Sequence, residues 1–263
     1  MTIIGEHDRR EVAGTGIRVS PIGLGTVKFG RNAGVKYPQA FELPDDRTLS
    51  QLMETAAELG INLIDTAPAY GTSESRVGKL LASRRDEWIV MTKVGETWEN
   101  GRSTFDFSRE ATHRSIERSL SRLATDRLDI VLVHASDDDV RVVQETDVLE
   151  SLSRLKERGV IGAIGVSTKT LEGARAALSH SDLVMAAYSP ADTSQREALD
   201  LARELGKSVL VKKALASGHA TDPGASLAFA LSHPAVASAI VGTINPAHLE
   251  SNVRAALRAL RAR

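Results

Sequence analysis

Short apolar runs alternate along the chain with longer segments whose apolar residues recur at helical spacing. Eight runs are rich in Ile, Val and Leu: 21–26 (PIGLGT), 61–65 (INLID), 88–93 (WIVMTK), 128–134 (LDIVLVH), 160–167 (VIGAIGVS), 182–188 (DLVMAAY), 208–213 (SVLVKK) and 236–242 (VASAIVG). Runs that are apolar throughout suit strands of a parallel sheet, buried on both faces. Between them, Leu49, Leu52, Met53, Ala56 and Leu59 mark one helical face, and Ile116, Leu120 and Leu123 mark another. Val148, Leu149, Leu152 and Leu155 make a third, ahead of Gly159, where a left-handed residue would end a helix. Asp222-Pro223 and Asn245-Pro246 predict two helix starts, each with a side-chain acceptor before a proline whose missing N–H is harmless there.

Strand–helix units of roughly 30 residues, repeated eight times, predict an α/β fold of the (β/α)8 TIM-barrel type. The rival is an open doubly wound sheet with a glycine fingerprint after its first strand. Here Gly23, Gly25 and Gly30 are spaced too widely for that fingerprint, and no helical periodicity follows directly. Residues 11–20 (EVAGTGIRVS) predict a β-hairpin turning at Gly14-Thr15-Gly16, placed to cap the bottom of the barrel. Segments 27–45 and 96–107 lack periodicity and are expected to be long loops at strand C-terminal ends, where barrel enzymes build their sites. No linker or low-complexity tract divides residues 1–263, so a single domain is expected.

Composition removes several functions. Among 263 residues there is no cysteine, which excludes disulfides, thiolate nucleophiles and thiolate-held metals. The 33 Lys+Arg balance 34 Asp+Glu, so the basic excess of a nucleic-acid binder is missing. No apolar stretch reaches membrane-spanning length and residues 1–10 are polar, so a cytoplasmic protein without membrane partners is expected. The acidic run Asp137–Asp139 reads as a solvated turn, and no metal site is expected.

Ionisable residues interrupt the apolar runs at informative places. Asp65, Lys93 and His134 end the second, third and fourth runs, and Tyr70 follows shortly after the second. Taken singly, a strand-end Asp is usually a turn residue, a Lys snorkels and a His is satisfied in the core. A parallel barrel, however, brings all four to one rim. There an ammonium would lower the phenol pKa of Tyr70, Asp65 would counter the buried Lys93, and His134 would orient the oxygen that Tyr70 protonates. Such a site has an acid but no redox atom, so a reduction would need a hydride-donating cofactor.

In their order and spacing these residues resemble the aldo-keto reductase superfamily over nearly the whole chain. The matching stretches are the hairpin, Gly23-Leu-Gly25-Thr26, Asp65-Thr-Ala through Tyr70-Gly71 and Thr92-Lys93. They continue with Leu132-Val-His134, Gly165-Val-Ser167, Val241-Gly242-Thr243 and Asn245-Pro246. The resemblance implies reduction of a small aldehyde or ketone with a nicotinamide cofactor, NADPH in most members, with NADH also possible. It implies Tyr70 as general acid, Lys93 and Asp65 as its tuning pair, and His134 as substrate orienter. Gly25, Thr26 and Ser167 fall at cofactor positions, with Ser167 on the nicotinamide carboxamide. Thr168 stands where Asn is common, Met185 where Gln is usual, and Lys212 where many members place a stacking aromatic ring. Lys212 and Lys213 could instead hold the pyrophosphate, or simply snorkel. Free N–H groups at the helix start after Gly242, Thr243 and Asn245 are expected to receive a phosphate. Gly242 and His248 stand where Lys or Arg is usual and Asn252 agrees with the family, which weakens the case for strict NADPH use. Larger members add a C-terminal loop over the substrate, whereas this sequence ends at Arg263, so an open pocket is expected. Trp98, Tyr37 and Phe41 are further candidates for lining it, and His219 for facing it. Two other readings stay open: an NAD(P)-dependent dehydrogenase of a sugar or alcohol, and a cofactor-binding regulatory protein with little turnover.

Overall fold

Each of the eight apolar runs forms one strand of a closed parallel barrel. The computed structural model describes residues 3–261; Arg263, and with it the expectation drawn from the chain's end, lies outside the described residues. A hairpin of β1 (Arg10–Val12) and β2 (Ile17–Val19) comes first. The barrel strands are then β3 (Ile22–Gly25), β4 (Leu63–Asp65) and β5 (Ile89–Val94), followed by β8 (Leu128–His134) and β9 (Ile161–Ser167), and β10 (Leu183–Ala187), β11 (Ser208–Lys212) and β12 (Val236–Val241). The antiparallel pair β6 (Glu96–Glu99) and β7 (Arg102–Phe105) stands outside the barrel, inserted between β5 and β8. Neighbours in the barrel follow chain order and β12 closes onto β3, so every strand is paired on both edges.

Two apolar layers hold this arrangement. Inside the barrel, Leu63, Met91, Ile130, Leu132, Leu183, Met185 and Leu210 pack together, and Val12 and Val19 of the hairpin join them from below. Both valines are fully buried, each worth about 1.5–3 kcal/mol of burial. Polar contacts seat the hairpin against the strand starts: Ala13 N–H donates to Ser208 Oγ (2.9 Å), and Asn62 Nδ2 to the Arg18 carbonyl (2.9 Å). The hairpin therefore caps the barrel bottom.

Outside, the helices bury the faces read from periodicity. These are α1 (Val27–Gly30), α2 (Asp46–Glu58), α3 (Ser73–Leu81), α4 (Arg109–Leu123), α5 (Asp139–Glu145), α6 (Val148–Glu157), α7 (Leu171–Leu178), α8 (Arg196–Glu204), α9 (Pro223–Ser232) and α10 (Pro246–Arg261). Asp45, Ser108 and Asp222 cap α2, α4 and α9 by accepting from the N–H of Thr48, Ala111 and Ala225. Beyond α6, Gly159 has φ 77°, as its place after that helix demands. No described helix is long and apolar enough to cross a membrane.

Three segments depart from expectation. Residues 96–107 are not an irregular loop: β6 and β7 pair from Glu96↔Phe105 to Glu99↔Arg102. Neither strand buries a residue, so no apolar alternation could announce it. The 27–45 segment opens with the one-turn helix α1 before continuing irregularly. Asp139 is fully buried rather than solvated, accepting from the N–H groups of Lys169 and Thr170 and from Thr170 Oγ1.

Candidate active site

The C-terminal strand ends meet at one rim, and the four interrupting residues meet there too. Lys93, one residue before the end of β5, lies beside Asp65 of β4, and both are buried. All three donors of the ammonium are engaged: with Asp65 Oδ1, with the Thr66 carbonyl at 3.0 Å and with Tyr70 Oη at 3.1 Å. Because an ammonium only donates, the Tyr70 oxygen accepts from Lys93 and its own proton is free to point into the cleft. Tyr70 sits in a 3-10 turn, Pro68–Tyr70, pinned from outside by α1. A Cβ at Gly30 would come within 2.4 Å of the Tyr70 carbonyl oxygen and 2.3 Å of Ser73 N, so only glycine permits this approach. Thr26 lines the same cleft, but its hydroxyl is committed to the Asp65 carbonyl (2.8 Å) and to Ser73 Oγ (2.7 Å).

The electrostatics differ from expectation at the phenol. Burial, with Asp65 adding, raises the Tyr70 pKa beyond what Lys93 offsets, so the anticipated lowering does not occur. Burial works against the Lys93 charge as well, but Asp65 and Tyr70 more than compensate and push it up to about 12. The pair is thus a neutral phenol held by a permanent ammonium.

His134 ends β8 with its ring edge-on to Tyr70, the ring centres 6.2 Å apart. Its Nδ1 lies 2.8 Å from Glu96 Oε2 of β6, with the N–H not aligned on the carboxylate. Glu96 escaped the sequence reading. Burial opposes its ionisation, but His134, Ser103 and Arg31 together hold its carboxyl down to about 2. Burial chiefly lowers the His134 pKa, against the pull of Glu96. Arg31 lies 4.0 Å from Glu96 and 3.4 Å from the centre of the Trp98 ring, locking the β6–β7 pair over α1.

From this corner a cleft of about 1110 Å³ runs along the rim past Ser167, Thr168, Met185 and Lys212 to Gly242, Thr243, His248 and Asn252. Gly25, Lys213, Tyr37 and Arg258 line it too. Asn245, Phe41, Trp98 and His219 are not among its lining residues. Asn245 Oδ1 accepts from Ala247 N–H (2.9 Å) and His248 N–H (3.4 Å), and the Asn245 carbonyl accepts from Leu249 N–H. The N–H groups expected to be free for a phosphate are therefore already capped.

The glutamine expected on the sixth barrel strand is replaced by Met185, but an amide is present nearby. Gln195, buried at the start of α8, accepts from Thr168 Oγ1 (2.9 Å) and lines the cleft. Lys212 Nζ donates to Ser167 Oγ (2.9 Å) and to the Thr168 carbonyl (2.7 Å). Burial, reinforced by Lys213, Lys93 and Lys169, brings its pKa down to about 7. Ser167 Oγ thereby accepts from Lys212 and keeps its proton for another acceptor. An extended dinucleotide suits this donor set: Ser167 near the acid corner, and the cations Lys28, Lys213 and Arg258 elsewhere along the cleft. Gly242 leaves room beside Tyr37, whose hydroxyl a Cβ would approach to 2.8 Å.

Comparison with known proteins finds one family. The model of the Aldo/keto reductase family matches residues 21–225. A candidate aldo-keto reductase from Pseudomonas aeruginosa superposes with a TM-score of 0.90 at 47% identity, covering 98% of each chain. The Bacillus subtilis aldo-keto reductase YhdN is 37% identical over 61% of this chain and 47% of its own length. An NADH-specific methylglyoxal reductase from Escherichia coli is 32% identical over 78% of this chain and 66% of its own. The matched part spans about half the length of several curated relatives.

Proposed function

The chain belongs to the Aldo/keto reductase family, and on that premise we propose that it reduces an aldehyde or ketone with hydride from a nicotinamide dinucleotide. The observation that carries this reading is Lys93, bonded at once to Asp65 and to Tyr70 Oη at the head of a long cleft. When bound, the nicotinamide supplies the hydride, which none of these side chains can. The substrate carbonyl oxygen would accept the Tyr70 proton as negative charge develops on it. The ammonium of Lys93, fixed by Asp65 and the Thr66 carbonyl, would then hold the resulting phenolate without reorganising. His134, braced by Glu96, would set the approach of the carbonyl from the other side. Ser167 would hold the carboxamide through the proton that Lys212 leaves free.

We take NADPH as the preferred nucleotide, because Arg258 supplies a cation to the stretch of cleft that the α10 residues His248 and Asn252 also line; NADH would bind less tightly there. A cysteine-free chain fits a cytoplasmic setting. The test is fluorescence titration with each nucleotide followed by turnover of a panel of small aldehydes and ketones. Binding and turnover are the expected results, and failure of both nucleotides to bind at millimolar concentration would remove the proposal.

A further inference from the structure

Lys212 lines the cleft next to the acid corner and carries neither the hydride nor the proton of the proposed reduction. It leaves β11 beside Ala187 of β10 and reaches across to Ser167, the register partner of His134 on the neighbouring strand. One serine thus separates its ammonium from the acid corner. Among the described residues it makes no ion pair within 4.0 Å. Its charged surroundings are the cations Lys93, Lys169 and Lys213, with His134 nearby and the carboxylate of Asp139 as the opposing charge. Asp139 is already spent on Lys169 N–H, Thr170 N–H and Thr170 Oγ1.

A hydride donor that reaches a carbonyl held by Tyr70 would lie in the stretch of cleft that His134, Ser167 and Lys212 line. The two redox forms of a nicotinamide nucleotide carry the same phosphates. They differ at the ring, which is uncharged when reduced and cationic when oxidised. A contact to the phosphates acts on both forms alike; an ammonium beside the ring acts on one. We propose that Lys212 makes this site select the reduced nucleotide and expel the oxidised one. This rests on the proposed nicotinamide function and deepens it: the lysine replaces product inhibition with product release. Like charges brought together where the lysine is already partly buried repel strongly enough for about tenfold discrimination or more.

The experiment compares wild type, Lys212→Met and Lys212→Arg, with Lys212→Gln as a second neutral variant if Met disturbs folding. Dissociation constants for NADPH and NADP+ are measured by calorimetry and fluorescence, without substrate. The wild type is expected to bind NADPH about tenfold or more tighter than NADP+. The neutral variants should narrow that ratio at least about fivefold, chiefly by binding NADP+ more tightly, and Arg, charged at every pH tested, should keep or widen it. Tighter binding on loss of a lysine is an outcome no merely structural role would produce. With Lys93, Lys169, Lys213, His134 and Asp139 facing it, Lys212 titrates around about 7. The wild-type ratio should therefore be larger near about pH 6 than near about pH 9, and NADP+ binding should release a proton. An unchanged ratio in the neutral variants overturns the proposal, as does equal weakening of both forms, which would mark a phosphate contact. Either result leaves the reductase reading standing. Failure of both nucleotides to bind the wild type would instead remove that reading and the proposal together.

Discussion

Replacing Lys93 by Met removes the charge that receives the phenolate, and the structure sets the size of the effect. The ammonium lies 3.1 Å from Tyr70 Oη, and a unit charge pair at that distance is worth about 5 kcal/mol at an effective dielectric of about 20. If roughly half the charge has developed in the transition state, the loss is about 2–3 kcal/mol, or about a hundredfold in rate. The variant also strands Asp65, whose side chain is 6% exposed; a buried carboxylate without its partner costs about 3–5 kcal/mol of stability. Stability and rate must therefore be read separately. Lys93→Met should lower both kcat for aldehyde reduction and Tm, while Asp65→Asn combined with Lys93→Met should recover much of the Tm and none of the rate. Steady-state kinetics beside thermal unfolding gives both numbers. A folded Lys93→Met enzyme that turns over within about threefold of wild type would refute the reasoning.

Two other perturbations separate the supports of the site. Glu96 is held at about 2, below its ordinary 4.5, so its contribution is fully present above about pH 4.5 and is lost as pH falls through about 2. Glu96→Gln should remove up to roughly 3 kcal/mol of that acid-sensitive stability, flattening the stability–pH curve over this window when measured by denaturant unfolding. A curve as steep as wild type would contradict the Glu96–His134 contact. Gly30→Ala places a methyl 2.3 Å from Ser73 N and 2.4 Å from the Tyr70 carbonyl oxygen, so α1 or the Tyr70 turn must shift. A displacement of about 1 Å at the acid should cost about a hundredfold in kcat while nucleotide affinity changes little. Wild-type kcat in a folded Gly30→Ala protein would show that this approach does not position Tyr70.

The barrel was legible because its strands are buried on both faces and so appear as unbroken apolar runs, with polar residues only where they reach the rim. Asp65, Lys93 and His134 stood out for that reason. Glu96 did not, because no residue of β6 or β7 is buried and no apolar alternation marks either strand. Its role depends on a hairpin folding back over β8, which local pattern does not encode. Gln195 was hidden for a related reason: the amide beside Thr168 comes from a helix start, while the strand position holds Met185. The Tyr70 shift runs opposite to the expected lowering because burial outweighs the ammonium, and burial is a property of the packed site. At α10 the Asn245-Pro246 start was read correctly, but the side chain that marks it also consumes the N–H groups expected for a phosphate.

The most direct test of the central assignment is a single turnover of enzyme-bound NADPH with a small aldehyde, followed by loss of the reduced-nicotinamide absorbance in wild type and Tyr70→Phe. The variant keeps the ring and its packing and loses only the donated proton. The expected result is wild-type nucleotide affinity with hydride transfer slowed by about 10²–10⁴-fold. Hydride transfer at the wild-type rate in Tyr70→Phe would contradict the role of Tyr70 as the acid.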